Sequence, residues 1–396
     1  MDKISFFPDN LDIANKKVII RLDFNVPIKN KLIQDVTRID LCLPFIKKLI
    51  EKKAKLIIIS HLGRPNGIKV PELSLFPVYS YLKKSIETNI DFYNGNFDSE
   101  IEKKVLNLKS GEIIFLENIR FFREESDDDE IFSKKIGSLG DIYINDAFSC
   151  SHRKQASIHK ITKFIKKSYG GPLLKKEINS INLVIQSNRK PITCIIGGSK
   201  VSTKINVISS LLKKVDNLII VGAMANNFFL YKNLNVGKSL IEKNSISVVK
   251  EIYKMAENYN CKIIIPDDCV VAKNRDGNGI NKVLDDVEDN DMILDIGSKT
   301  IKNILEIINQ SKTVLWNGPA GYFENSNFIN GTLSIANIIS SNTKKNSLIS
   351  ILGGGDTVAA INKSKEKLFF THLSTAGGAF LEYLEGKDLP GLSVLK

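Results

Sequence analysis

Arginine is the informative residue of this sequence. Of 56 Lys plus Arg only eight are arginine, and six of them (Arg21, Arg38, Arg64, Arg120, Arg123 and Arg153) fall in the first 153 residues. A chain that uses lysine wherever any positive charge serves is expected to keep arginine where a planar, two-pronged donor is needed. That group matches a carboxylate or phosphate with two parallel hydrogen bonds. The arginines come with other polar groups: Asp23 and Asn25 in RLDFNVP, His61 beside Arg64 in SHLGRP, Arg120 closing FLENIR, and His152 with Arg153 in SHRKQAS. Arg38 lies in DVTRID, where a helix is expected to start. One arginine after a strand is usually a surface ion-pair partner, but independent surface arginines have no reason to keep choosing the same strand end. The combination reads as a shared anion site, with one carboxylate and one amide able to bind hydroxyls.

The second half has a different signature. In IIGGSKVSTK a strand runs into a glycine turn and a helix, and Lys200 and Lys204, one turn apart, are expected on one helix face pointing at the glycines. The spacing is not GxxxxGK[ST], so a P-loop is disfavoured. In SILGGGDTVAAI the Gly354, Gly355, Asp356 and Thr357 stretch opens a helix whose free N–H groups and dipole favour a phosphate, and Asp356 is placed to hold a divalent cation beside it. Either glycine cluster alone is as often a plain tight turn. Together with a third at Ser374–Gly378 they favour a nucleotide. Asn317 in WNGP and Glu324 add a rigid turn and a carboxylate suited to ribose hydroxyls, while the adjacent Asp267 and Asp268 are not read as a metal pair because neighbouring strand residues face opposite ways.

These groups need elements to position them. Short Ile/Val/Leu runs alternate with helical-period segments, which reads as strands buried on both faces in parallel sheets. Strands are expected near Val18–Leu22, Leu56–Ser60, Ile113–Glu117 and Asp141–Asn145, then near Ile192–Ile196, Leu218–Gly222, Lys262–Pro266, Thr313–Trp316 and Leu348–Leu352. Two such series argue for an α/β protein of two doubly wound, parallel-sheet, Rossmann-like domains facing each other across a cleft. Between them Gly170-Gly171-Pro172 marks a turn, and Leu174, Ile178, Ile181 and Ile185 recur at helical spacing. The expected division is 1–171, a connecting helix 172–188, and 189–375, with 376–396 returning to the first domain. The acidic run REESDDDE at 123–130 is expected to be a solvated helix start or loop.

Bulk properties narrow the class. With 43% hydrophobic and 25% charged residues the chain has ordinary globular composition. No apolar run reaches the roughly 18 residues of a membrane span, and MDKISFFPDN shows no basic stretch followed by an apolar one, so neither membrane nor secretory signal is expected. Five cysteines without a CxxC pair fit a reduced, cytoplasmic protein. The net charge of +12 reflects mainly a drift toward lysine; without aromatic residues interleaved among the basic ones, a nucleic-acid-binding role is the least favoured reading.

The motifs RLDFNVP, SHLGRP, LENIRF, IGGSKVSTKI, LWNGPAGYFE, GGGDTVAAI and STAGGAFLEYLEGK occur in the order seen in phosphoglycerate kinases, and the chain resembles that family over essentially its whole length. The resemblance implies a two-domain monomer that transfers a phosphoryl group between 1,3-bisphosphoglycerate and Mg-ADP, giving 3-phosphoglycerate and Mg-ATP. It implies that Asp23, Asn25, Arg38, His61, Arg64, Arg120 and Arg153 bind the glycerate. Lys200, Lys204, Gly297, Asn317, Glu324, Gly354, Gly355, Asp356 and Thr357 would bind the nucleotide, with Mg2+ at Asp356. Arg38, Lys200 and Gly355 are the expected catalytic groups, with transfer direct and in line and with closure about a hinge at Gly170–Pro172 or Ser374–Thr375. The chain departs from the family pattern at Val221 and Ala223, where glycines are common, at Ala376 and at Asn227; the first two are expected to crowd the adenine side. The alternative left open by the basic pocket is a kinase of another small carboxylate through an acyl phosphate.

Overall fold

The computed structural model describes residues 4–395, so residues 1–3 of the opening MDKISFFPDN and residue 396 of the returning segment lie outside it. The chain divides into two compact units, 1–178 with 388–396, and 179–387.

In the first unit the strands are β1 (Lys17–Arg21), β2 (Ile28–Lys29), β3 (Leu32–Ile33), β4 (Lys55–Ile59), β5 (Ile90–Tyr93), β6 (Ile113–Leu116), β7 (Ile142–Asn145) and β8 (Lys167–Gly170). Six of them form one sheet in the order β5-β6-β4-β1-β7-β8, and every pairing in it is parallel. β2 and β3 make a small antiparallel ladder of their own. The continuous apolar runs end up where such runs must, buried on both faces: Ile19, Ile57, Ile58 and Ile144 are all fully buried. Edge strands β5 and β8 were not evident in the sequence. Half-exposed and partly polar, IDFY and KSYG carry neither a long apolar run nor clean alternation.

The second unit contains β9 (Ile192–Ile196), β10 (Asn217–Ile220), β11 (Lys262–Ile264), β12 (Asp268–Ala272), β13 (Ile280–Val283), β14 (Met292–Ile296), β15 (Thr313–Asn317), β16 (Ile349–Gly353) and β17 (His372–Ser374). A parallel sheet runs β11-β10-β9-β15-β16-β17, and a second, antiparallel sheet runs β13-β12-β14. That second sheet is also absent from the sequence reading, since the exposed strand β13 (INKV) looks like a loop. Trp316, the single tryptophan, is fully buried and its indole N–H donates to Gly318 O at 2.7 Å, so it is a core residue with its polar tip satisfied.

Two expectations change. The helix Pro172–Ile185 forms as its apolar spacing predicts. The segment that joins the first unit, however, begins at Asp388 rather than at 376. Helix Gly377–Leu384 stays with the second unit because Phe380 is fully buried and packs under Gly353, and Ser210 Oγ bonds Glu385 O at 3.0 Å. Beyond it Gly391 N donates to Ser151 O at 2.8 Å and Asn145 Nδ2 to Gly391 O at 3.2 Å. The acidic run is not wholly solvated either: Glu125 is fully buried and Asp128 nearly so. Their i,i+3 spacing puts both on the inner side of a turn, a periodicity hidden by the carboxylates around them.

Asp268 has a structural task. Its carboxylate accepts from Thr300 N (2.8 Å), Lys299 N (3.0 Å) and Thr300 Oγ1 (2.7 Å), capping helix Ser298–Gln310. Replacing Asp268 by Ala is therefore expected to destabilise the second unit by about 2 kcal/mol, the scale of a lost cap that leaves buried N–H groups unpaired. Urea unfolding checks this, and an unchanged midpoint would contradict it.

Candidate functional site

Four neighbouring strands of the first sheet, β6-β4-β1-β7, run parallel, so the loops after their carboxyl ends emerge along one edge. Asp23 and Asn25 follow β1, His61 and Arg64 follow β4, Arg120 follows β6, and His152 and Arg153 follow β7. Arg38 sits in the first turn of helix Thr37–Glu51. Its Nη1 reaches Asp23 Oδ2 at 2.8 Å and Asn25 O at 3.0 Å. Asn25 Oδ1 accepts Gly63 N at 2.9 Å, and Arg120 Nη1 donates to Gly63 O at 2.8 Å, so one glycine ties both residues to the loop after β4. Arg153 donates from Nε to His152 Nε2 at 3.2 Å, and its charge acts on Arg120. Arg64 lies on the same loop as His61 with an exposed side chain and makes no ion pair among the described residues. Apart from that exposed guanidinium, the sequence-derived set forms one cluster.

The cluster rests on a residue to which the sequence reading gave no role. Arg21, the last residue of β1, is fully buried. Its guanidinium donates to Leu22 O (2.5 Å), Ser157 Oγ (3.1 Å) and His61 Nδ1 (3.2 Å). Ser157 in turn donates to Glu125 Oε1 at 2.6 Å, and its N–H to Glu125 Oε2 at 2.8 Å. The available signal was an arginine ending the apolar run KVIIR, where a charged side chain has no route to water. Because a guanidinium can only donate, Nδ1 of His61 is an acceptor and the ring proton sits on Nε2. Burial, then Arg21, holds His61 well below the usual histidine range, so it is neutral. Burial also draws Arg120 down to about 10, which still leaves it cationic at neutral pH. Arg21, Arg38, Arg120 and Arg153 thus outnumber the carboxylates Asp23 and Glu125, leaving a surplus of positive charge that calls for an anion.

In the second unit the glycine turns follow three adjacent strands, β9, β15 and β16. A Cβ on Gly197 would meet Pro319 O at 2.3 Å, and one on Gly318 would meet Gly197 C at 2.5 Å, so the first two turns touch through bare backbone. Lys204 Nζ donates to Gly197 O (2.6 Å) and Asn317 Oδ1 (2.8 Å), and Asn317 Nδ2 donates to Gly353 O (2.8 Å). Thr357 Oγ1 closes the set, donating to Gly353 O at 3.0 Å and accepting Gly318 N at 2.7 Å. Its hydroxyl is therefore committed to shaping the turn. Gly355 opens helix Gly355–Ile361 and faces open space.

Lys200 and Lys204 do not share a helix face. The helix starts only at Ile205, after a tight turn over Ser202–Lys204, and Lys200 stands before that turn, exposed. The glycine pair delays the helix, so Lys204 folds back onto Gly197 while Lys200 stays exposed ahead of the turn. Beside the turns is a cavity of about 280 Å³ whose lining includes Gly198, Ala223, Ile293, Tyr322, Glu324 and Asp356. Ala223 does border that cavity, whereas Val221 is buried in the sheet core. Asn227 accepts Glu242 N at 2.9 Å and Ser245 Oγ at 2.9 Å, pinning the following segment. Ala376 is buried ahead of helix Gly377–Leu384. Gly297 packs against the Asp268 carboxylate, where a Cβ would approach to 2.2 Å, and is not among the lining residues. A hard cation that arrives with phosphates needs only one or two protein carboxylates. Asp356, exposed at the helix start and close enough to act on Lys204, fits that requirement.

The chain is similar to known proteins over nearly its whole length. The family model described as phosphoglycerate kinase matches residues 8–387. A phosphoglycerate kinase of Wolbachia pipientis wMel is 44% identical over 390 residues, 98% of each chain. That of the Wolbachia strain of Culex pipiens is 45% identical over 386 residues, 97% of each. Among solved structures, phosphoglycerate kinase from Coxiella burnetii superposes with a TM-score of 0.86 at 38% identity, covering 98% of this chain and 97% of that one.

Burial lowers the Lys204 ammonium to about 8. A nitrogen-detected NMR titration should therefore find one lysine losing its proton near pH 8. If every lysine titrates near the ordinary value of about 10.4, the Lys204–Gly197 contact is not kept in solution.

Proposed function

This chain belongs to the phosphoglycerate kinase family, and we propose that its two units divide the two substrates of that activity between them. The activity is phosphoryl transfer with a carboxyl group as acceptor, linking 1,3-bisphosphoglycerate and ADP to 3-phosphoglycerate and ATP in glycolysis. The observation that carries the division is the guanidinium cluster at the carboxyl ends of β6, β4, β1 and β7, matched to a small acid with two charged ends. In this reading Arg120, Arg153 and Arg64 bind the glycerate phosphate. Asp23 and Asn25 receive its hydroxyl, Arg38 faces the carboxylate end, and His61 donates from Nε2 as a neutral ring. The second unit takes ADP or ATP, with the base in the 280 Å³ cavity, Glu324 near the ribose, and Lys204 with the Gly354–Gly355 turn at the phosphates.

The chemistry asks little of acid–base groups. A carboxylate oxygen is already ionised at neutral pH, so it attacks without a general base, in keeping with a histidine held neutral. What the transfer needs is alignment and positive charge around the oxygens of the moving group. Arg38 and Lys200 supply that charge, and the amides at Gly355 hold the group left behind. Magnesium carried by the nucleotide, held at Asp356, would neutralise phosphate charge. Five free, buried cysteines fit a reducing cytoplasm, and we take the working form to be a monomer. Among the described residues no helix is long and apolar enough to cross a membrane.

ATP formation from 1,3-bisphosphoglycerate and ADP, with and without magnesium, tests the reading directly. Arg38→Ala should lower turnover by roughly 10²-fold or more, the usual scale for removing a donor to transition-state charge; near wild-type turnover would remove Arg38 from that role. The Lys204 ammonium binds phosphate only when protonated, so ADP affinity should fall as pH rises through about 8. Binding above that pH should take up a proton, because phosphate favours the charged form. Calorimetry in buffers of different ionisation heat measures this, and proton-neutral binding would contradict it.

A further inference from the structure

Ser149, in the loop after β7, has no part in the reading above. It is partly exposed, and its hydroxyl donates to Asp23 Oδ2. That is the oxygen Arg38 Nη1 also reaches, at 2.8 Å. The second oxygen, Oδ1, accepts the Asn25 N–H at 3.0 Å. Three donors from three separate stretches of chain therefore converge on one carboxylate.

We propose that Ser149 is a positioning residue that makes the glycerate pocket selective for a 2-hydroxy acid, by fixing which way the Asp23 carboxylate faces. The inference rests on the reading of Asp23 as acceptor of the substrate hydroxyl. An ionised carboxylate offers about four acceptor positions. Arg38 and Ser149 occupy both on Oδ2, and the Asn25 N–H takes one on Oδ1. The position left is a single lone pair on Oδ1, in a defined direction. Without the Ser149 hydroxyl the carboxylate is held on Oδ2 by Arg38 alone. Guanidinium and carboxylate then tend to close into two parallel bonds, which turns Oδ1 toward Arg38 and consumes the position meant for substrate. The group is also kept ready to accept: burial pushes the Asp23 carboxyl up, but the Arg38 charge and the bonds from Ser149 and the Asn25 N–H outweigh it and hold it below the usual range.

The test compares two ligands by calorimetry, 3-phosphoglycerate and the phosphate ester of 3-hydroxypropanoate, which differs only in lacking the 2-hydroxyl. Ser149→Ala should weaken 3-phosphoglycerate by about 10-fold, the scale of one hydrogen bond to a charged group, while the deoxy ester changes by less than about 2-fold. KM for 3-phosphoglycerate should rise accordingly with ADP affinity unchanged, which also reports an intact fold. Ser149→Thr keeps the hydroxyl and should retain the wild-type preference. Equal weakening of both ligands, no weakening of either, or a threonine variant that behaves like alanine would overturn the proposal. Asp23→Ala separates it from its premise. If that variant keeps the full preference for the 2-hydroxy acid, the role of Asp23 itself falls. If it loses the preference while Ser149→Ala does not, only the role of Ser149 falls.

Discussion

A positive charge shut away from water at the end of β1 organises the first unit's site. The Arg21 guanidinium is fully buried, and a charge in that position is tolerable only when its hydrogen bonds are met and an opposite charge is near. Ser157 and Leu22 O meet the bonds, and Glu125, reached through Ser157, supplies the charge. The remaining prong is spent on His61, which fixes the ring's tautomer and keeps it neutral. From that buried base outward, the other guanidiniums become progressively more accessible: Arg120 is largely buried, Arg38 and Arg153 partly exposed, Arg64 exposed. The arrangement is a gradient from buried to solvent-facing cation built on one sheet edge.

The second unit solves the opposite problem with the same topology. In the proposed reading phosphates are approached there by backbone, which asks that the turns come close together and stay open. Gly197 and Gly318 allow the contact, and the Lys204–Asn317–Gly353 chain of hydrogen bonds ties the turns into one surface. Burying an ammonium in that role depresses it to about 8. In both units, then, a buried cation holds the loops together. Asp23 and Asn317 play matching parts as the polar groups that orient a cation without neutralising the site.

Much of this was legible in the chain itself. Apolar runs such as KVIIR, KLIII and ITCII are buried on both faces, and the loops after them carry the polar groups the motifs predicted. The edge strands β5 and β8 and the β13-β12-β14 sheet were not legible, because strands half open to water lose the long apolar run and here also lack regular alternation. Helical spacing counted from the glycines puts Lys200 on one face with Lys204, whereas the chain makes one more tight turn before Ile205. Glu125 was missed because a run of carboxylates looks alike from outside, and nothing local says which one turns inward.

By residue type and order alone the chain determined its family, its two parallel sheets and the edge at which charge collects, since strand period and motif spacing are local properties. Tertiary structure decided which members of each set stay exposed and which are buried and hold the others in place. That choice depends on partners such as Ser157 for Arg21, Ser149 for Asp23 and Gly353 for Asn317, which lie 136, 126 and 36 positions away. Hydrogen bonds spanning such separations leave no periodic trace in the sequence, because only folding brings their two ends together.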